Sequence, residues 1–280
     1  VAYVLREEWE EAEGVGTDLA ASGNRVTRAQ GLGFALGLLR LFEGRSQEAL
    51  ELIERAIRDY PHPDAVRARL HNWAAQILLS RGEVARALEH AKVAQQEGKH
   101  DWEGLRGLYW GGLAEIRLGR TDAAQRTANK LKVITDRLPG PRGKRLFHLL
   151  AGELALARGD ADRAVTELGR SQSTLPPRGF LWEDLHVPTW SSLASAHLAT
   201  GDYDSAAEWL REIAESPYEH TTWPVLYVPS FYQLAKIHES RGEWEQARAY
   251  YRRFLDFWGD GDLDAEQVEE ARLFCREAAQ

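Results

Sequence analysis

One short pattern constrains this chain more than any other: a glycine followed five residues later by an alanine, recurring at a near-constant interval. It occurs as Gly44/Ala49, Gly82/Ala87, Gly119/Ala124, Gly159/Ala164, Gly201/Ala206 and Gly242/Ala247, with successive glycines 38, 37, 40, 42 and 41 residues apart. A period of this size marks a solenoid, in which each repeat is one supersecondary unit that buries its apolar face only against its neighbours. The glycine is predicted to close one helix, because a residue without Cβ accepts the left-handed backbone conformation found there. Acids follow it, as in Asp160 and Asp162, Asp202 and Asp204, or Glu243 and Glu245, and suit the positive end of the next helix. The alanine then falls where two antiparallel helices cross, and its small side chain lets the backbones approach. Each unit is therefore expected to be a helical hairpin.

The expected fold is all-α: a right-handed superhelical solenoid of about six hairpins forming a single domain over 1–280, with an extra N-terminal helix and a C-terminal capping helix. The units are placed at about 26–61, 64–97, 102–137, 142–172, 185–214 and 224–258, and the capping helix at 264–279. The first helix of the first unit carries Leu32, Phe34, Leu36, Leu38, Leu39, Leu41 and Phe42 around most of its circumference. It is predicted to be buried on both sides, with the N-terminal helix folded over it. Tyr60-Pro61 ends the second helix of that unit, since proline forbids continuation. At the far end Val268, Ala271, Phe274 and Cys275 form one apolar stripe, as a terminal cap requires, with Asp264 and Gln267 as its expected capping box. The longest connection, 173–184, contains Pro176-Pro177-Arg178-Gly179 and is a candidate functional loop.

Composition narrows the function. The formal net charge of -8 argues against a nucleic-acid footprint, which needs a basic face. A single cysteine, Cys275, excludes an internal disulfide framework and a multi-cysteine metal site. No apolar run approaches the roughly 18 residues of a membrane span, and the acidic, amphipathic start does not read as a signal peptide. A cytoplasmic protein is expected. The chain contains no Met, and Val4, Leu5, Trp9 and Ala12 read as a helix already under way. Both suggest a piece of a longer polypeptide.

The units resemble tetratricopeptide repeats. The Gly and Ala pair carries the resemblance, together with the small residue seven positions before each glycine: Gly37, Ala75, Gly112, Gly152, Ala194 and Ala235. A large apolar residue precedes that small one by four positions at Leu108, Trp190 and Phe231, whereas Gly33, His71 and His148 depart from the pattern. Units longer than the family's usual 34 residues are similar to those of large multidomain bacterial regulators, where a repeat array follows a kinase, cyclase or nucleotide-switch ATPase. The resemblance implies protein or peptide binding in a superhelical groove, and no catalysis or cofactor. The leading expectation is a non-enzymatic scaffold or regulatory interaction module. The alternative is a small-molecule-sensing domain that controls an attached kinase, ATPase or transcription module. An open, wet groove would favour the first, and a closed apolar pocket with a few convergent polar groups the second.

No phosphate loop, zinc-protease motif or nucleophile elbow occurs in the sequence. His197 and His238 occupy equivalent positions in the fifth and sixth units, which would permit a metal or a pH sensor if stacking brought them together; packing between helices is the plainer expectation. Trp73, Trp110, Trp190, Trp209 and Trp244 are expected in the core, while Trp182 and Trp223 lie in connections and are candidate exposed contacts. Arg142-Gly143-Lys144-Arg145 reads as a solvated helix start. In hairpin solenoids the first helices line the concave side. The polar residues on that face are Arg69, Asn72, Gln76, Arg106, Tyr109, Glu153, Ser191, Ser195, Tyr232, Lys236 and Glu239, and these are the expected partner-binding set. Arg69 and Arg106 could grip an acidic segment. The set lacks the Lys and Asn arrangement that clamps a chaperone's C-terminal carboxylate, so that ligand is not expected.

Overall fold

Every repeat glycine adopts the conformation its position demands. Gly44, Gly82, Gly119, Gly159, Gly201 and Gly242 have φ between 70° and 78°. In each turn the next residue donates its N–H to the carbonyl five residues back, from Arg45 to Arg40 (2.8 Å) through to Glu243 to His238 (3.0 Å). These bonds satisfy helix-end carbonyls that would otherwise lack partners. The paired alanines, Ala49, Ala87, Ala124, Ala164, Ala206 and Ala247, are all 0% exposed. Replacing Ala206 with Leu is therefore expected to overpack the crossing and cost about 1–3 kcal/mol; an unchanged thermal midpoint would show that the crossing tolerates bulk.

The structure, a computed structural model, describes residues 2–99, 101–178 and 185–277. Two helices, α1 (Ala2–Leu5) and α2 (Trp9–Ala20), precede the first hairpin. Its first limb is continuous but not uniform: α3 (Arg25–Ala29), a π-helix (Gln30–Gly37), then α4 (Leu38–Phe42), followed by α5 (Ser46–Asp59). As the apolar circumference suggests, this limb is covered on both sides. A Cβ on Gly31 would meet the backbone of Ala20 at 2.3 Å, so only glycine permits α2 to lie this close. Five further hairpins follow: α6 (Ala65–Ser80) with α7 (Val84–Glu97), α8 (Trp102–Arg117) with α9 (Thr121–Thr135), α10 (Arg142–Ala157) with α11 (Ala161–Gln172), α12 (His186–Thr200) with α13 (Tyr203–Ala214), and α14 (Pro224–Ser240) with α15 (Trp244–Trp258). Helix α16 (Ala265–Glu277) covers the last of them. Asp64 and Asp101 cap α6 and α8 through their side chains.

The departures from the repeat pattern have physical reasons. Gly33 leaves room for Leu70 and Trp73 of the next unit; a Cβ there would meet Leu70 Cδ2 at 2.6 Å. His71 and His148 replace the large apolar residue with a ring that bonds the second helix of its own hairpin, His71 Nδ1 to His90 Nδ1 at 2.9 Å and His148 Nδ1 to Glu167 at 2.8 Å.

The superhelix closes on itself. The first helices touch in succession from α6 through α8, α10 and α12 to α14, and α14 touches α4. Phe42 packs against Tyr227 (6.1 Å between ring centroids) and Phe257 (6.1 Å), and Trp9 of α2 lies against both Phe42 and Phe257. Arg253 pairs with Glu7. The indole N–H of Trp258 donates to the Leu41 carbonyl at 3.0 Å. Asp262 completes the seam. Arg45, at the N-cap of α5, makes no side-chain capping bond, and Asp262 supplies it from the other end of the chain, accepting from the backbone N–H groups of Ser46 (2.8 Å) and Gln47 (3.0 Å) and from the Ser46 hydroxyl (2.6 Å). Burial alone would raise the Asp262 carboxyl, but these bonds and nearby Arg81 hold it below the usual carboxylate range.

Candidate functional site

Ring closure turns the concave face into a lumen, and side chains divide that lumen into two chambers. The divider is Trp110 of α8 packed against Trp223, the residue before α14, with ring centroids 6.0 Å apart. The indole of Trp223 lines one chamber and that of Trp110 the other.

The aromatic chamber has a volume of about 190 Å³. Phe34 from the π-helix stacks on Trp73 of α6 at 5.4 Å, and Trp102 and Trp223 complete the apolar walls. Arg69 and Arg106 supply its polar side. Both guanidiniums face one carboxylate, that of buried Glu103, at 2.8 Å from Arg69 and 3.6 Å from Arg106. Asn72 donates its side-chain amide to the other Glu103 oxygen at 2.9 Å. Burial pushes the Glu103 carboxyl up, but Arg106, Arg69 and Asn72 outweigh burial and hold it below its ordinary value. Arg106 also lies over the Trp223 ring, 5.8 Å from its centroid.

The polar chamber, about 320 Å³, is lined by Gln76, Tyr109, Arg117, Glu153, Ser191 and Ser195, among others. Glu153 accepts from Ser192, and burial raises its carboxyl. Burial also raises the Tyr109 phenol well above its usual value. Two buried donors of residues lining this chamber, Gln76 Nε2 and Trp110 Nε1, have no hydrogen-bond partner among the described residues. Donors of this kind in a polar chamber are places for water or for the acceptors of an occupant.

The structure thus distributes the expected binding set. Gln76, Tyr109, Glu153, Ser191 and Ser195 meet in the polar chamber, and Arg69 and Arg106 in the aromatic one. Asn72 is buried between α6 and α8. Tyr232, Lys236 and Glu239 join neither group: Tyr232 and Lys236 bond Glu270 of α16, and Lys236 also reaches Glu239 at 3.1 Å. The face that lines the lumen in earlier units is occupied by the capping helix in the last.

Several side chains depart from expectation, while His197, His238 and Cys275 follow the plainer one. Trp244 is 56% exposed, because it stands at the tip of its turn where no later hairpin covers it. Trp223 is only 3% exposed, because ring closure folds its connection into the lumen. Trp182 lies outside the described residues, as does part of the 173–184 connection. His197 and His238 do not meet; each bonds the acid of its own turn, Asp202 (3.1 Å) and Glu243. Arg145 is buried and donates to the Thr174 carbonyl instead of being solvated. Burial raises the Cys275 thiol, which opposes a nucleophilic role. Among the described residues no cluster of three or more His, Cys, Asp or Glu could hold a metal, and no helix is long and apolar enough to cross a membrane.

Phe34, Trp102 and Trp223 were missed as a constellation. The available signal was the repeated spacing of an arginine and an aromatic four residues later, Arg69 with Trp73 and Arg106 with Trp110, which places both on one helix face.

The comparisons with known proteins agree with this architecture. Tetratricopeptide-repeat family models match residues 34–101, 146–170, 187–212 and 230–256. No curated protein sequence matches the chain. Among solved structures, a tetratricopeptide repeat protein from Parabacteroides merdae is similar over 96% of this chain and 99% of its own, at 17% identity and a TM-score of 0.56. A thermophilic repeat protein of Thermus thermophilus is similar over 76% of this chain and 98% of its own, at 17% identity and a TM-score of 0.50. At these identities the likeness is one of fold.

Proposed function

Because the chain belongs to the tetratricopeptide-repeat family, we propose that it is a non-enzymatic scaffold or regulatory module that binds a protein partner through an extended peptide segment in the polar chamber. The unpaired Gln76 and Trp110 donors carry this reading. Main-chain carbonyls of an extended peptide have no partners of their own and would satisfy both donors. Arg117 and Ser195 are exposed and place one mouth of the chamber in contact with water, where a segment could enter.

The test is a displayed library of linear peptides panned against the wild-type protein. Enriched peptides are expected to lose about tenfold or more in affinity on a Gln76→Ala/Arg117→Ala variant, the consequence of removing hydrogen bonds from an enclosed site. Peptides that bind the folded variant as tightly as wild type, or a library that yields no binders, would overturn the assignment.

A second reading, small-molecule sensing, has its own supporting observation. The lumen is closed by the seam between the first and last units, and its aromatic chamber has apolar walls with two convergent arginines. That is the kind of site a small ligand occupies.

A further inference from the structure

We infer that the aromatic chamber is a binding site for a small planar aromatic acid, a molecule of one ring or two fused rings bearing one carboxylate. The inference rests on the small-molecule reading above and names the ligand class.

Shape sets the body of the ligand. The chamber has a volume of about 190 Å³, and a dry cavity of about 150 Å³ already admits benzene. Its walls include flat rings drawn from separate elements, Phe34 stacked on Trp73 at 30° between planes together with Trp102 and Trp223, and the aliphatic Leu70 and Ala29. Aromatic walls favour a planar guest, whose faces and edges meet theirs in offset or tilted contacts. Gln30 is exposed and lines the chamber, so the site communicates with solvent there.

Charge sets the functional group. Two guanidiniums, Arg69 and Arg106, share the single carboxylate of Glu103, which leaves one positive charge in excess at the polar end. No Asp or Glu is among the described residues that line the chamber. Arg106 is held by Glu103 on one side and by the face of Trp223 on the other, so its planar fork is ordered before a ligand arrives. A fork of this kind matches a carboxylate better than it matches an amide, and repels an ammonium.

The backbone gives an independent sign. Gln30 and Phe34, both in the chamber wall, belong to the π-helix at Gln30–Gly37. Such windings are uncommon and concentrate at functional sites. Here the widened turn presents Phe34 to Trp73 while the glycines of the same segment accept close contact from α2 and α6.

The experiment is calorimetric titration of the intact protein with four probes: indole-3-acetate, 2-naphthoate, the neutral indole-3-acetamide and the cationic tryptamine. The acids are expected to bind at one site per chain, with the amide and the amine weaker by about tenfold or more, the value of a charge-assisted hydrogen bond. Arg106→Gln is expected to reduce acid affinity by a similar factor and to leave amide binding unchanged. The wild-type series decides the matter without any variant, should Arg106→Gln fold poorly. Equal affinity for acid and amide, preference for the amine, or an acid affinity unaffected by a folded Arg106→Gln would each overturn the ligand class while leaving small-molecule sensing standing. No binding by any of the four probes would overturn both. The peptide reading is tested at different residues and is independent of either outcome.

Discussion

Trp258→Ala is expected to destabilise the protein by about 3–5 kcal/mol, the range for deleting a buried large aromatic, and to loosen the ring. Trp258 is 1% exposed, packs on Phe254 at 5.9 Å and donates its N–H to the Leu41 carbonyl. A Cβ on Gly44 would meet its ring at 3.0 Å, a measure of how closely the first turn lies over it. The substitution removes a large apolar surface and one of the two hydrogen bonds on the Leu41 carbonyl, which keeps the one from the Gly44 N–H. Most of the loss falls on the seam, so the chain should also expand. Asp262→Ala separates closure from core packing. It creates no large cavity, yet it removes the cap of α5 and its bonds to Ser46 and Gln47. Its cost should be about 1–2 kcal/mol, that of a lost N-cap, with a similar expansion. Urea midpoints and the radius of gyration from solution scattering would check both. If Asp262→Ala leaves midpoint and radius at wild-type values, the seam does not hold the ring closed.

The second large effect is a loss of stability in mild acid caused by the His71–His90 pair. The two Nδ1 atoms are 2.9 Å apart, so one ring donates and the other accepts, and the accepting ring must be neutral. Burial first, and then His90 and Arg67, lower the His71 pKa from 6.5 to about 4; burial also lowers that of His90. The charged groups facing the pair are Arg67, Arg86 and Glu54. In the unfolded chain each imidazole takes up a proton near its ordinary pKa. Between that value and the folded one the unfolded state binds more protons, so stability falls as pH falls. The contribution is fully present above pH 6.5, declines through the interval and levels off below about 4. For His71 alone the total is on the order of 3 kcal/mol, since one pKa unit corresponds to about 1.4 kcal/mol. Other carboxylates take up protons at the lower end of the same range, so the useful measurement is a difference. Urea midpoints for wild type and His71→Leu, taken from pH 7.5 to 4, should converge as pH falls, because the variant lacks the histidine's share of the loss. Parallel curves would show that the pair does not titrate on unfolding.

The hairpins were legible because local chemistry enforces them. A glycine at φ near 75° and an alanine with no exposed surface leave the backbone few options, and Gly201 with Ala206 behave as Gly82 with Ala87 do. The buried first limb and the cap over α15 followed from apolar patterns of the same short range. The candidate site was legible only in part. The arginines and small polar residues of the first helices were identified from their spacing. Their division into two chambers depends on Trp223, which enters from a connection more than a hundred residues later in the chain than Arg106 and Trp110.

By itself the sequence determined the repeating unit and its turn chemistry, both consequences of contacts within a unit or between neighbours. Only the tertiary structure decided that the array closes, that Asp262 caps a helix beginning 216 residues earlier in the chain, and that Trp223 is buried while Trp244 is not. The physical reason is that closure depends on the summed rotation of six stacked units. A small change in each crossing angle separates a ring from an open superhelix, and no local pattern of glycine, alanine or apolar residues records that sum.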